Sequence, residues 1–336
     1  MWPPSKSLSG KRRAMALAAK HMRRKREQEE KEEIARFQRF WECCYGKYFG
    51  SFEETTVVPS MCYTFGSVPK YANPDEGLQI FSVKVAQLKE EEGLHWPLHV
   101  YGFIAIRDSI DPRRNHLFHR TRDNCQIITE EDPFLLLTGP SRAAVLIDPI
   151  SFEVQLKAKG KTKSEDKVLV FDVLTSQHAV VYLGDPPPIF TSYLQGKRSK
   201  LDFTFALLAE SVEATICVEV VHGSWPEQIP GRVTARMASI DHEHIVLVDS
   251  GDGRLPIGRS GAIKLSRQVV SVELSGELKV DVMAYFGEAV KGSAVFTPKK
   301  ARISYKSIDL SFCKLGVTVG WSLFSPLVPE QSSCAV

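Results

Sequence analysis

The chain has 336 residues, 43% hydrophobic and 25% charged, which is material for one large globular domain or two of ordinary size. No apolar run approaches the roughly 20 residues of a membrane span, and the basic N-terminus lacks an apolar block of the secretory kind, so neither is expected. Net charge is +3, but residues 1–33 hold ten Lys/Arg against five Glu, a net of +5 that leaves −2 for the remainder. A near-neutral body excludes the broad basic face that duplex nucleic acid requires.

Residues 1–48 read as a disordered start followed by a charged helical arm. Pro3, Pro4 and Gly10 break the first turn, and from about Arg12 the composition is Ala, Leu, Lys, Arg, Gln and Glu without proline. Basic residues precede acidic ones, against the helix dipole, so the first part is expected to fray. Further on, Ile34, Phe37, Trp41, Cys44/Tyr45 and Tyr48 share one face, which is expected to dock on the body. Lys11 and Arg12, a spacer, then Arg23, Arg24, Lys25 and Arg26 have the layout of a bipartite nuclear localisation signal, with an import receptor as partner. The competing readings are a solvated helix that pairs its own charges and, as a lesser alternative, an organellar transit peptide. The seven cysteines are odd in number and sparsely spaced, which suits reduced thiols in the nucleus or cytoplasm.

Residues 49–76, with Pro59, Pro69 and Pro74, read as a linker. After it the hydrophobic period becomes two. IFSVKVAQL (80–88), LHVYGFIAI (98–106), FLLL (134–137), AAVLI (143–147), FEVQLKAK (152–159) and KVLVFDVL (167–174) are predicted strands. The run Gly184–Pro188 cannot lie inside a sheet and marks a boundary. Beyond it, LDFTFALL (201–208), ATICVEVV (214–221), RVTARMA (232–238), HIVLVD (244–249), AIKLS (262–266), VVSVEL (269–274), ELKVDVMAY (277–285), SAVFTP (293–298), SIDLSFCKL (307–315) and VTVGWSLF (317–324) follow. The fold expected is an all-β body, an antiparallel β-sandwich, with an N-terminal charged α-helix.

WPLHVYGFIAIRDSID (96–111) and WPEQIPGRVTARMASID (225–241) match in step at Trp, Pro, Gly and Arg. FEVQLKAKG (152–160) resembles LKVDVMAYFG (278–287), and LDFTFALL resembles IDLSFCKL (308–315). The body is therefore divided into a first β unit, 77–184, and a second, 198–325, two repeated units or one large sandwich. In both blocks Trp-Pro reads as a loop leading into a core strand.

The block RDSIDPRRNHLFHRTRDNCQ (107–126) is the richest in chemistry. Arg107, Asp108, Arg120, Arg122 and Asp123 are the candidate ligand-binding residues, since arginines hold phosphate or carboxylate in bidentate fashion. The favoured alternative is an inter-strand loop whose aspartates cap turns and whose arginines pair with them. His95, His99, His116, His119 and Cys125 are of zinc-ligand type, but their spacing fits no standard site, and no metal or other cofactor is expected. No G-x-S-x-G elbow, phosphate loop or G-x-G-x-x-G is present, and no catalytic residue is assigned.

The stretches IFSVKVAQL, WPLHVYGFIAIRDSID, RDNCQIIT, DPFLLLTGPSRAAVLIDPISFEVQLKAKG and SEDKVLVFDVL resemble a plant family, expanded in grasses, catalogued as a domain of unknown function. VEATICVEVVHGSWP, VLVDSGDG and LSRQVVSVELSGELKV in the second half are similar to the same family, so the resemblance covers roughly residues 75–325. The family supplies no catalytic residues to carry over. Some of its members are joined to ribosome-inactivating N-glycosidase modules, whose Glu-Ala-x-x-Arg helix acts on adenine. Here Glu213-Ala214 lies in a strand pattern and Cys217 stands where that Arg is required. The function expected is a non-enzymatic protein- or ligand-binding β module, stress- or defence-related, with an unknown protein partner. The alternatives are an accessory of ribosome-inactivating N-glycosidases and a phosphate- or sugar-binding module.

Overall fold

The computed structural model describes residues 6–146, 150–176, 186–286 and 288–325. Helix α1 (Lys6–Trp41) runs through the basic and acidic parts alike, turns through a π-helical Glu42–Gly46 and ends in a short α2 (Lys47–Phe49). The strands are β1 (Asp75–Leu88), β2 (Leu98–Arg107), β3 (Asn115–Arg120), β4 (Gln126–Ile128), β5 (Ala144–Val145), β6 (Ile150–Ala158), β7 (Lys167–Ser176) and β8 (Ile189–Gln195). They continue with β9 (Ser199–Gly223), β10 (Gly231–Met237), β11 (Ile240–Asp249), β12 (Val269–Glu273), β13 (Leu278–Phe286), β14 (Glu288–Phe296), β15 (Arg302–Asp309) and β16 (Cys313–Ser322).

They form three antiparallel sheets. The largest has the order β15-β16-β9-β1-β5, with β8 and β12 also paired to β9; the others are β3-β2-β6-β7, with β4 on β2, and β11-β10-β13-β14. The two smaller sheets share one connectivity. In each, the strand that follows Trp-Pro pairs with the next strand on one side and with the first strand of a hairpin on the other. The glycine of the repeated block is positional in both. Gly102 has φ +114, and a Cβ there would stand 2.0 Å from the Gln155 carbonyl oxygen; at Gly231 it would meet the Trp225 ring at 2.5 Å.

Each smaller sheet covers part of the large one, giving two cores threaded by a single strand. Leu201, Phe203 and Phe205 of β9 enter the first core, with Val100, Ile104, Val154 and Leu156. Ala206, Leu208, Val212, Ala214, Ile216 and Val218 enter the second, with Val233, Val280 and Trp321. Odd positions serve one core and even positions the other, so β9 presents opposite faces to them.

Several sequence expectations change here. LDFTFALL and ATICVEVV are one strand; in the break between them Ala209 and Glu210 are exposed, while Ser211, Val212 and Glu213 are buried. The block 107–126, read as a loop, contains β3 and ends on the first residue of β4; the half-buried and exposed positions of β3, His116, His119 and Arg120, are polar and hide the strand. FLLL and AIKLS make only isolated bridges, at Phe134 and at Ala262 and Ile263. Their apolar residues are buried loop packing, which period alone does not separate from a strand. β8 follows directly on Pro186–Pro188, and those prolines mask it in the sequence.

Because β9 belongs to both cores, Phe203→Ala should cost about 3–5 kcal/mol and loosen both together. Hydrogen exchange in denaturant would show β6 and β13 losing protection in one transition; two separate transitions would contradict the shared-strand account.

Candidate functional site

The end of α1 and the chain after it are pressed onto the outer face of the β3-β2-β6-β7 sheet. Trp41 is 1% exposed and Phe52 likewise. The Trp41 indole N–H donates to the Pro112 carbonyl at 2.8 Å, and the Phe52 ring stands edge-on to both Trp41 and Phe37 at 5.8 Å. Farther up the helix, Glu30 accepts two hydrogen bonds, at 2.8 and 2.9 Å, from Arg198 just before β9, and Glu29 pairs with Lys197. Of the expected docking face, Trp41 is buried and Ile34 and Phe37 are half-buried, while Cys44, Tyr45 and Tyr48 are exposed.

Beneath these rings lies a buried carboxylate, Glu153 of β6. Its Oε2 accepts from Arg107 Nε (3.2 Å), Arg107 Nη2 (2.8 Å) and Arg114 Nε (2.9 Å); its Oε1 accepts from Arg114 Nη2 (2.7 Å) and Gln155 Nε2 (2.8 Å). Both guanidinium groups stack on Phe52, with the ring centroid 4.1 Å from Arg107 and 5.0 Å from Arg114. Burial pulls Arg107 down to about 10, against the support of Glu153.

The charge cluster continues inward. Arg142 grips Asp108 with two bonds of 2.6 and 2.8 Å. Asp111 accepts from Arg113 Nε (2.9 Å), Thr56 Oγ1 (2.8 Å) and the Val57 amide (3.1 Å). Burial works against the charge of Asp111, but the bonds from Arg113 and Thr56 outweigh it and hold its pKa low. Glu213 accepts from the Met61 and Ala143 amides, at 2.7 and 2.8 Å, and burial raises its pKa. Four arginines (107, 113, 114, 142) and four acids (108, 111, 153, 213) therefore balance in formal charge. Residues 52–61, read as a linker, supply much of the donor and acceptor backbone for them.

Beside the cluster opens a cleft of about 680 Å³, walled by Phe37, Phe40, Trp41, Tyr45, Phe49 and Pro112 and edged by Arg107, Asp108, Ser109, Ser151 and Thr175. The Ser109 hydroxyl is buried there and has no hydrogen-bond partner among the described residues. Ser151 and Thr175 hydroxyls lie 3.2 Å apart.

Of the candidate ligand-binding residues, Arg107 and Asp108 meet at this cleft. Arg120, Arg122 and Asp123 lie away from it, toward the opposite end of β2, where Arg120 faces Gly102 in the ladder. There Arg122 pairs with Asp166 at 2.8 Å, Asp123 is exposed, and the Nε of the half-buried Arg120 has no hydrogen-bond partner among the described residues. Lys11, Arg12, Arg23, Arg24, Lys25 and Arg26 lie on α1; Lys25 is exposed, and the other five side chains lie outside the described residues. His116 and His119 stack at 4.8 Å, and among the described residues no group of three His, Cys, Asp or Glu side chains is placed to hold a metal. Glu153, Arg142 and Phe52 are not singled out by the sequence. Glu153 reads as the ordinary outward residue of an alternating strand, and only an outer face covered by the N-terminal arm makes it central.

A family described as a domain of unknown function (DUF6598) matches residues 77–319. The chain belongs to this family. The matched region takes in nearly all of β1 to β16 and leaves out α1 and the 52–61 segment that roofs the charge cluster. No curated protein matches the sequence. Among solved structures, the chain is similar to the paired C2 domains of extended-synaptotagmin 2 (TM-score 0.27, 10% identity, 80% of this chain and 100% of that one). It is also similar to human GIVD cytosolic phospholipase A2 (TM-score 0.24, 9% identity, 74% of this chain and 33% of that one), so it spans about a third of that enzyme. Neither likeness bears on function.

Removing the central acid should be severe. Glu153→Ala leaves two buried guanidinium groups without their anion, an effect of about 3–5 kcal/mol, readable as a shift in urea midpoint; a loss under about 1 kcal/mol would contradict the central role.

His116 gives a pH dependence. Burial, then the neighbouring His119 ring and Arg114, push it down to about 4 from its ordinary 6.5. The folded chain keeps it neutral while the unfolded chain protonates it near 6.5. Its contribution is present above that pH and falls away as pH drops toward 4. Urea midpoints measured across that window should fall less steeply in His116→Phe than in the parent chain.

Proposed function

We propose that this chain is a non-enzymatic binding module whose ligand site is the aromatic cleft at the end of α1. The observation that carries this reading is the cleft itself: about 680 Å³, mainly aromatic walls, and one buried hydroxyl, Ser109, left without a partner among the described residues. That volume and that ratio of apolar wall to placed polar group are those of small-molecule sites. The ligand that fits is a compact, largely apolar molecule carrying a hydrogen-bond acceptor for Ser109.

The internal charge balance favours this over a phosphate or carboxylate ligand at the arginine block. The donors of Arg107 and the oxygens of Asp108 are already engaged with protein groups. An added anion would have to displace Glu153 from buried, charge-assisted bonds, which is costly. Arg107 and Asp108 accordingly serve as the rigid rim of the cleft, and its aromatic wall supplies affinity by burying the ligand's apolar surface. An N-glycosidase reading finds no support at Glu213, whose carboxylate is buried on β9 and held by backbone amides.

The test is titration with anilinonaphthalene sulfonate, an aromatic probe bearing an acceptor group. The parent chain should bind it saturably with a blue-shifted emission. Phe40→Ser combined with Tyr45→Ser should weaken binding about tenfold, equivalent to about 1.4 kcal/mol, with unchanged circular dichroism. Equal affinity in the double variant would remove the cleft from consideration.

A further inference from the structure

A second depression lies on the outer face of the large sheet, beside the first core and separate from the α1 cleft. Here β8, β9 and β1 are adjacent, and their outward residues form cross-strand rows: Tyr193–Asp202–Lys84, and next to it Gln195–Lys200–Gln87. An isolated bridge from Lys84 to Phe134 extends the first row by one more chain. The row therefore ends in an aromatic ring on each side, and both rings stand in solvent, Tyr193 at 62% and Phe134 at 44% exposure. Each is steadied by a lysine of the same face: Lys200 Nζ lies 4.8 Å from the Tyr193 ring centre and Lys84 Nζ 5.8 Å from that of Phe134. The depression along these rows measures about 690 Å³ and also takes in Trp96, Glu90 and Glu130, with the two rings outside its lining.

The chemistry of this face is specific in three ways. Its ionised groups balance, with Lys84, Lys89 and Lys200 against Glu90, Glu130 and Asp202, so it has no net pull on an anion and lacks the basic excess that nucleic acid needs. Its floor is polar, which does not suit an apolar peptide. Its amides, ammonium groups and carboxylates alternate as donors and acceptors along the strands, which suits a ligand whose groups both donate and accept. Hydroxyl groups do so. Exposed ring faces bind the C–H faces of pyranose rings, which are the apolar side of an otherwise polar molecule. Tyr193 and Phe134 are separated by three strand spacings, about 14 Å, a length that calls for a chain of sugars rather than a single one.

We propose that this face binds a neutral, extended polysaccharide, with Tyr193 and Phe134 as stacking platforms and Asp202, Gln87 and Gln195 as hydroxyl partners.

The experiment is native affinity electrophoresis of the full chain through gels containing hydroxyethyl cellulose, mixed-linkage glucan, xylan or galactomannan, with dextran sulfate as the anionic comparison. At least one neutral polymer should retard the chain. Tyr193→Ala combined with Phe134→Ala should weaken that binding about tenfold, the worth of two lost ring contacts. Asp202→Asn should weaken it less, and the double ring variant should keep the parent melting temperature, since Tyr193 and Phe134 are exposed. The α1-cleft variant, Phe40→Ser with Tyr45→Ser, should bind the polymer as the parent does, which separates this site from the cleft. The proposal is overturned if no neutral polymer retards the chain, if the double ring variant is retarded equally, or if only dextran sulfate acts.

Discussion

One buried carboxylate organises the first half of this molecule. Glu153 sits on a strand face that would ordinarily meet water, and it is enclosed because two guanidinium groups close over it and a phenylalanine ring closes over them. A lone ionised group would not survive such burial. The compensation comes from five hydrogen bonds to its two oxygens, together with the stacking of both arginines on Phe52. The arm is bound into the same arrangement, since Trp41 and Phe37 cover the ring that covers the arginines. Arm, 52–61 segment and sheet are thus joined around a charge, and the aromatic cleft exists where that roof ends.

The second smaller sheet carries the same device in a different setting. Arg107 of β2 reaches the acid facing Ala105, two residues back in the ladder; Arg236 of β10 reaches Asp281, which faces Thr234, again two residues back. The geometry is common to both, but the Arg236 pair is partly exposed, at 25% and 22%, and has no arm above it among the described residues. An ion pair in water contributes little, whereas the same pair under a roof of rings becomes indispensable once buried. What differs between the halves is the cover.

Much of the fold was legible in the sequence. The alternation in IFSVKVAQL, FEVQLKAK and ELKVDVMAY placed β1, β6 and β13, and the Trp-Pro blocks marked the central strands β2 and β10. The remainder follows from the limits of local pattern. β3 carries a register shift that leaves Leu117 and Phe118 consecutively buried, so its residues lack a simple alternation, and β8 hides behind prolines. The site was harder. Arg107 and Asp108 were visible as charge in a dense block, but their partners Glu153 and Arg142 lie 46 and 34 residues away in the chain. Pairing over such distances leaves no mark on spacing. Arg120, Arg122 and Asp123 shared the block in sequence without sharing the place in space.

β9 carries a consequence for how this chain can vary. Its side chains at 201, 203 and 205 serve one core and those at 206–218 the other, on opposite faces of a single extended backbone. Losing or gaining one residue near its middle would rotate every later side chain to the wrong face, exposing Val212, Ile216 and Val218 while burying Cys217 and Glu219. Loops elsewhere can absorb length changes at small cost. This strand cannot, so in any lineage of such chains its middle should be the part of the body where insertions and deletions are least tolerated.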